Sequence, residues 1–153
     1  MQLPDWLVFF QRTFPSANMV LVKTSRPVLV DTGFGGDLAA TPQLLRDSGI
    51  QPDNLALVAN THYHSDHVGG NYGLQSRYGL PIAASRYEGE MVNRRDVETG
   101  KADWLDQPIE PYMVNTLLDE GDHIDAGEVR WKCWQPPAIP SDISPFMSLT
   151  AGY

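Results

Sequence analysis

The chain has 153 residues, of which 42% are hydrophobic and 20% are charged, and this composition excludes a disordered chain. A single domain of this length can bury a sizeable core. The formal net charge of −8 disfavours the phosphate backbone of a nucleic acid as a partner, because such binding depends on clustered Lys and Arg.

Two short apolar runs, Met19–Val22 and Val28–Val30, predict a pair of strands joined by the turn "TSRP". The glycine-dense stretch "DTGFGG" follows the second strand as a loop. Thr41 and Pro42 predict the beginning of a helix, as its N-cap and its first residue, and Gly49 predicts its end.

The middle of the chain alternates between strand and helix signals. The continuous apolar run "LALVA", residues 55–59, predicts a strand that is covered on both faces. "NYGLQSRYG" then predicts a helix, and "PIAA" predicts another buried strand. Ser85 and Glu88 have the spacing of a capping box, which predicts a helix through about Arg95.

The last clear element is a hairpin over "DEGDHIDAGEVRWKCW", with turns at Gly121 and Gly127. The predicted elements therefore follow the order β-β-α-β-α-β-α-β-β. Strands that alternate with helices in this way favour the α/β class.

The segment "THYHSDHVGG", Thr61 to Gly70, places three histidines and an aspartate within six positions at the end of a predicted strand. His62 and His64 are two positions apart, so in an extended backbone both side chains point to the same side. Two such imidazoles form half of a tetrahedral zinc site. Asp66 and His67 follow at once and suit a second metal beside the first. We therefore predict a metal centre here, in preference to a solvated polar loop.

The same segment resembles the HxHxDH signature of the metallo-β-lactamase-fold hydrolases. The resemblance extends upstream to "DTGFGG" and downstream to "DEGDHIDAGEVRWK", so that it covers residues 18–132. It implies an α/β fold of the αββα sandwich type, of which this chain supplies the amino-terminal half and lacks the carboxy-terminal half.

By this resemblance, His62 and His64 would ligate a first metal, and Asp66 and His67 a second. Asp66 would also orient the attacking hydroxide. Asp31, in the "DTGFGG" loop, would hydrogen-bond near the site without binding metal. The alternative for Asp31 is an ordinary turn aspartate after a strand.

The activity that the resemblance implies is metal-dependent hydrolysis, in which a metal-bound hydroxide attacks an ester, thioester or lactone carbonyl of a small-molecule substrate. The histidine-rich ligand set predicts zinc, up to two ions, with iron or manganese as alternatives. Two other functions stay open: a catalytically inactive fragment with weak metal binding, and an iron-dependent redox enzyme of the same fold.

The family pattern also requires ligands after the hairpin, including a histidine in a "TPGH"-like turn. After Lys132 the sequence has no histidine, and its only acidic residue there is Asp142. One back-translation of "CWQPPAIPSDISPFM" reads "VLATPGHSVGHISLH" when a single base is inserted after the Lys132 codon. We therefore predict a domain over residues 1–132 and an out-of-frame, unstructured tail over residues 133–153, with a divergent natural carboxy terminus as the alternative.

Partners and location follow from simpler features. The amino terminus has no basic segment followed by an apolar core, and no stretch approaches the ~20 apolar residues of a membrane span. The single cysteine, Cys133, cannot form an internal disulfide. We therefore expect a cytoplasmic protein without membrane or nucleic-acid partners. A missing second half would leave a sheet face uncovered, which predicts self-association.

Overall fold

The computed structural model describes residues 3–96, 107, 109–134 and 148–152. In chain order, its strands and helices are β1 (Leu7–Phe10), β2 (Met19–Val22), β3 (Val28–Val30), α1 (Ala40–Asp47), β4 (Leu57–Ala59), α2 (Ser65–Val68), α3 (Asn71–Tyr78), β5 (Ile82–Ser85), α4 (Arg86–Arg94), β6 (Thr116–Leu118), β7 (His123–Ala126), β8 (Val129–Trp134) and β9 (Ser148–Gly152). Two short 3₁₀ turns, Gly35–Asp37 and Pro52–Asn54, lie beside α1.

The strands form two sheets. The larger has the order β1-β2-β3-β4-β5-β6, antiparallel from β1 to β3 and parallel from β3 to β6. Parallel neighbours need crossover connections, and α1, α3 and α4 provide them. The smaller sheet, β7-β8-β9, is antiparallel. The α/β class that the element order predicts is therefore confirmed.

The larger sheet is buried on both faces. On one face its strands pack with Leu45 of α1, Leu74 of α3 and Met91 of α4. The other face packs against the β7–β8 hairpin, through a second core formed by Val22, Val28, Val30, Ala59, Ala83, Leu118, Ile124, Ala126, Val129, Trp131 and Cys133. The described residues thus form helix, sheet and sheet layers, each closing an apolar face of the next.

This packing corrects one expectation. The face of the larger sheet that we expected to be uncovered is buried at Val28, Ala59 and Ala83, because the β7–β8 hairpin places its apolar side chains over it. The tips of the two hairpins are also joined, since the Ser25 N–H donates to Glu128 Oε2 at 2.9 Å. Self-association itself stays a prediction.

Most of the predicted elements occur where the sequence places them, including β2 and β3 with the expected bounds. Helix α1 begins at Ala40, earlier than predicted, and Thr41 is buried inside it instead of capping it. Strand β1 was not predicted; its residues pair with β2 in the register Leu7↔Val22.

The prediction of an unstructured tail is wrong for part of residues 133–153. Cys133 and Trp134 complete β8, and Ser148–Gly152 forms β9 along its edge. A free strand edge offers peptide groups that pair with any extended segment, whatever its side-chain period. Residues 135–147 and Tyr153 lie outside the described residues. The out-of-frame origin of the tail stays a prediction. Among the helices that the structure describes, none is long and apolar enough to cross a bilayer.

Candidate metal centre

The candidate site lies where β3 and β4 end. These two strands are parallel, with Val30 opposite Ala59, so the residues that follow them meet at one edge of the sheet. Asp31 follows β3 directly, and its N–H donates to the carbonyl oxygen of Ala59 at 2.9 Å. The "THYHSDH" segment follows β4, and His64 is the N-cap residue of the short helix α2.

Asp31 connects the two strand ends. It is only 4% exposed, and its φ of 60° lies in the left-handed region, which non-glycine residues adopt rarely. Its carboxylate accepts hydrogen bonds from the Thr61 N–H at 2.9 Å, from the Thr61 hydroxyl at 2.8 Å and from His67 Nδ1 at 2.8 Å. Asp31 is therefore held in an uncommon backbone conformation by the segment that carries the predicted ligands.

These hydrogen bonds set which nitrogen of two imidazoles carries the proton. The single proton of the Thr61 hydroxyl points to Asp31, so Thr61 Oγ1 accepts from His62 Nδ1, which lies 3.1 Å away. His67 likewise donates through Nδ1 to Asp31. Each ring then presents its lone pair on Nε2, the state in which imidazole binds a metal.

The four predicted ligands come together in one cluster. The ring centroids of His62 and His67 are 3.9 Å apart, and those of His62 and His64 are 4.5 Å apart. Asp66 Oδ2 lies 3.6 Å from His67 Nε2. Asp31 also contacts this cluster, but it does so through His67 Nδ1, which is not the nitrogen predicted to bind metal.

The chemistry of this donor set fits a divalent metal ion, because it combines neutral imidazoles with a carboxylate. Within the described residues, however, no group of three or more His, Cys, Asp or Glu side chains is placed to hold one ion. Among these residues the cluster thus contains suitable donors without forming a complete cage.

Electrostatics distinguish the buried imidazole of His62 from the partly exposed imidazole of His67. Burial, reinforced by repulsion from His67 and His64, lowers the pKa of His62 to about 3, so this ring is neutral at physiological pH as a ligand must be. Burial also lowers the pKa of His67, but the hydrogen bond to Asp31 and the charges of Asp31 and Asp66 outweigh it and raise that pKa. A proton therefore competes with a metal ion at His67.

Several polar residues beneath the cluster were not singled out by the sequence. The Asn71 side chain donates to Asn60 Oδ1 at 2.8 Å and accepts from the Thr32 hydroxyl at 3.0 Å. Thr32 Oγ1 in turn accepts from the Gly70 N–H at 3.1 Å. This network fixes the loop after β3 against the start of α3, and the only sequence signal for it was its proximity to the motif.

Two further residues had weak signals. Thr61 precedes the first histidine and looks like an ordinary strand-end residue. Glu88 had the spacing of a helix cap, but its side chain is fully buried, and burial raises its pKa to about 7 against hydrogen bonds from Ser85 and the Tyr63 backbone. The capping prediction itself is confirmed, because Ser85 accepts from the Glu88 N–H.

Comparison with known proteins gives a family match and partial relatives. The family model described as "Metallo-beta-lactamase superfamily" matches residues 12–141. Metallo-beta-lactamase domain-containing protein 1 of Mus musculus is 46% identical over 57 residues, which are 37% of this chain and 22% of that protein. The hydroxyacylglutathione hydrolase of Pelagibacter ubique is 34% identical over 59 residues, or 39% of this chain and 23% of that protein. The exodeoxyribonuclease YycJ of Bacillus anthracis is 34% identical over 71 residues, or 46% of this chain and 26% of that protein.

Solved structures match over more of the chain. The subclass B3 metallo-beta-lactamase BJP-1 of Bradyrhizobium japonicum superposes with a TM-score of 0.74 at 19% identity, covering 90% of this chain and 51% of that one. The class B3 di-zinc enzyme LRA-12, from an Alaskan soil metagenome, gives a TM-score of 0.72 at 17% identity, covering 88% and 50%. At these identities the likeness concerns the fold alone. The chain spans about half the length of these solved proteins.

Proposed function

Because the chain belongs to the metallo-beta-lactamase superfamily, we propose that it carries the amino-terminal part of a metal-dependent hydrolase site that acts on an ester, thioester or lactone carbonyl. The observation that supports this proposal most directly is the arrangement around Asp31. One buried carboxylate sets the proton positions of His62 and His67, so that both imidazoles present Nε2. A solvated polar loop has no need of this arrangement.

Under this proposal, His62 and His64 hold one ion, and Asp66 and His67 hold another. Zinc is the expected metal, with iron or manganese as alternatives. A bound metal would supply two effects: it would acidify a water molecule and polarise the substrate carbonyl.

The chain's own residues supply the rest of the chemistry. Asp66 and His67 have side-chain exposures of 28% and 23%, so a water molecule and a substrate can reach them. Asp66 would orient a water molecule at the site by accepting a hydrogen bond from it. Asp31 holds His67 by its Nδ1 and keeps Nε2 directed to the site.

An acyl substrate is favoured over a nucleic acid. One matched relative is named a hydroxyacylglutathione hydrolase, and this name agrees with an acyl group as the target. Another is named an exodeoxyribonuclease, but the formal net charge of −8 disfavours a polyanionic substrate here.

The proposal is tested by metal analysis together with turnover. The purified chain is stripped with a chelator, reloaded with zinc, iron or manganese, and assayed for bound metal and for hydrolysis of an aryl ester, a thioester and a lactone. Stoichiometric zinc with metal-dependent hydrolysis, abolished by Asp66→Asn, is the expected result.

The alternative functions give different results in the same experiment. Weak, substoichiometric metal with no turnover identifies an inactive fragment. Bound iron with oxidation of a sulfur substrate identifies a redox enzyme of the same fold. Either result would overturn the hydrolase proposal.

A further inference from the structure

Glu88 is a fully buried carboxyl group near the candidate site that the chemistry above does not use. It lies in the first turn of α4, whose N-cap is Ser85. In an ordinary capping box, a glutamate at this position reaches back to the N-cap N–H at the protein surface. Here the Ser85 hydroxyl donates to Glu88 Oε2 at 3.2 Å, and the Glu88 N–H donates to Ser85 Oγ at 3.3 Å. The carboxyl group therefore points into the protein.

Inside the protein, Glu88 reaches the predicted ligand loop. The Tyr63 backbone, between His62 and His64, lies close enough to this carboxyl group to favour its charged form and so to lower its pKa. Its Oε1 atom is buried and makes no hydrogen bond within the part of the chain that the structure describes. A carboxyl group that is buried with spare acceptor capacity is expensive for the fold, so helix capping alone does not account for it.

Tyr63 is held from a second direction as well. Its side chain is 6% exposed and belongs to the core between the larger sheet and the helices. With the ring fixed in the core and the backbone beside the Glu88 carboxyl group, the peptide between the two histidines has little freedom. The rings of His62 and His64, on either side of Tyr63, contact each other edge to face with their centroids 4.5 Å apart.

We propose that Glu88 is a positioning residue of the metal centre, which fixes the backbone at Tyr63 and so the directions of His62 and His64. This inference rests on the proposed function, since it assigns Glu88 to the same site. It predicts that the acceptor oxygen of residue 88 matters for metal binding more than for the stability of the fold.

Three substitutions at position 88 separate its effect on metal binding from its effect on the stability of the fold. Glu88→Gln keeps the length and an acceptor oxygen, and it can still bond to Ser85. Glu88→Leu removes the acceptor and fills similar space, at the cost of leaving the Ser85 hydroxyl without this acceptor. Glu88→Asp keeps a carboxyl group, but its side chain is one methylene shorter and so does not reach Tyr63. Glu90→Leu, on the same helix with a side chain that is 49% exposed, is the matched control.

The measurement is a Co²⁺ titration of each metal-free protein, followed by the visible ligand-field spectrum, together with thermal melting of the metal-free form. Glu88→Leu and Glu88→Asp should weaken cobalt binding about 10- to 100-fold and alter the spectrum, as changes behind a metal ligand do. Glu88→Gln and Glu90→Leu should keep the affinity and spectrum of the unchanged protein. Any fall in the melting temperature of Glu88→Leu should be too small to account for its loss of cobalt affinity.

The outcomes distinguish the two proposals. If the unchanged protein binds no cobalt, the proposed function fails. If it binds cobalt, and Glu88→Leu or Glu88→Asp binds it with the same affinity and spectrum, the role of Glu88 is overturned while the metal centre stands. The role is also overturned if affinity falls only in proportion to a loss of melting temperature. Should Glu88→Leu fail to fold, Glu88→Asp decides.

Discussion

Asp31 Oδ2 lies 2.8 Å from His67 Nδ1, although the two residues are 36 positions apart in the chain. The parallel pairing of β3 with β4 produces this contact, because it brings the residues after both strands to one sheet edge. The contact decides the protonation state of a predicted metal ligand. The first prediction concerns the removal of this contact.

Asp31→Asn should weaken metal binding about 10- to 100-fold, because the amide cannot hold Nδ1–H of His67 as a carboxylate does. It should also lower the pKa of His67, since that pKa is raised by the hydrogen bond and charge of Asp31. Both effects are measured on the Asp31→Asn variant. Metal titration gives the affinity, and NMR titration of the histidine ring gives the pKa of His67. The exposed Asp47→Asn, on α1, is the control, and equal behaviour of the two variants would contradict the assigned role.

The second prediction is a pH dependence of the metal-free protein. The pKa of His62 falls from its ordinary 6.5 to about 3 on folding, so between these values the unfolded chain binds a proton that the folded chain does not. His62 therefore reduces the free energy of unfolding as the pH falls through this window, by up to about 1.4 kcal/mol per pH unit. Relative to His62→Gln, the unchanged protein should lose stability steadily from pH 6.5 downward in denaturant melts.

The comparison with His62→Gln is needed because the titration of Glu88 changes the free energy of unfolding in the opposite direction. Its pKa is raised from 4.5 to about 7, so the folded chain keeps a proton that the unfolded chain releases, and stability falls as the pH rises through that window. The two effects offset each other in the whole protein. A difference between the two proteins that does not vary with pH would show that His62 titrates normally.

The third prediction concerns Gly69, which follows α2. Its φ of −58° suits any residue, so backbone entropy alone would make alanine favourable there. A Cβ atom at this position would, however, overlap the backbone nitrogen of Gly35 and lie 2.8 Å from Ser65 O. Gly69→Ala should therefore destabilise the protein by about 1–3 kcal/mol, measured by urea unfolding. An unchanged or raised free energy of unfolding would mean that the two loops are not packed as described.

The fourth prediction concerns the reading frame of residues 133–153. We expect the transcript to carry one further base after the Lys132 codon, which would restore a "TPGH" turn and its histidine. Sequencing the transcript from the Trp131 codon onward tests this directly. A transcript that encodes no family ligand in any frame would leave the natural, divergent terminus as the explanation. The strand pairing of Ser148–Gly152 agrees with either outcome.

The sequence by itself determined the local features of this protein. The apolar runs of β2 and β3, the helix end at Gly49 and the cap at Ser85 depend on neighbours within a few residues, so composition and spacing revealed them. The clustering of His62, His64, Asp66 and His67 was also local, because six positions contain all four.

Only the tertiary structure decided how these residues act on one another. The support that Asp31 gives to His67 depends on the parallel register of β3 and β4, and the reach of Glu88 to Tyr63 depends on how α4 packs. Strand β1 pairs with β2, and strand β9 pairs with β8, at sheet edges that would otherwise be free. Such contacts join residues far apart in the chain, and no local pattern encodes them, because side-chain direction and strand register are fixed only when the sheets and helices pack.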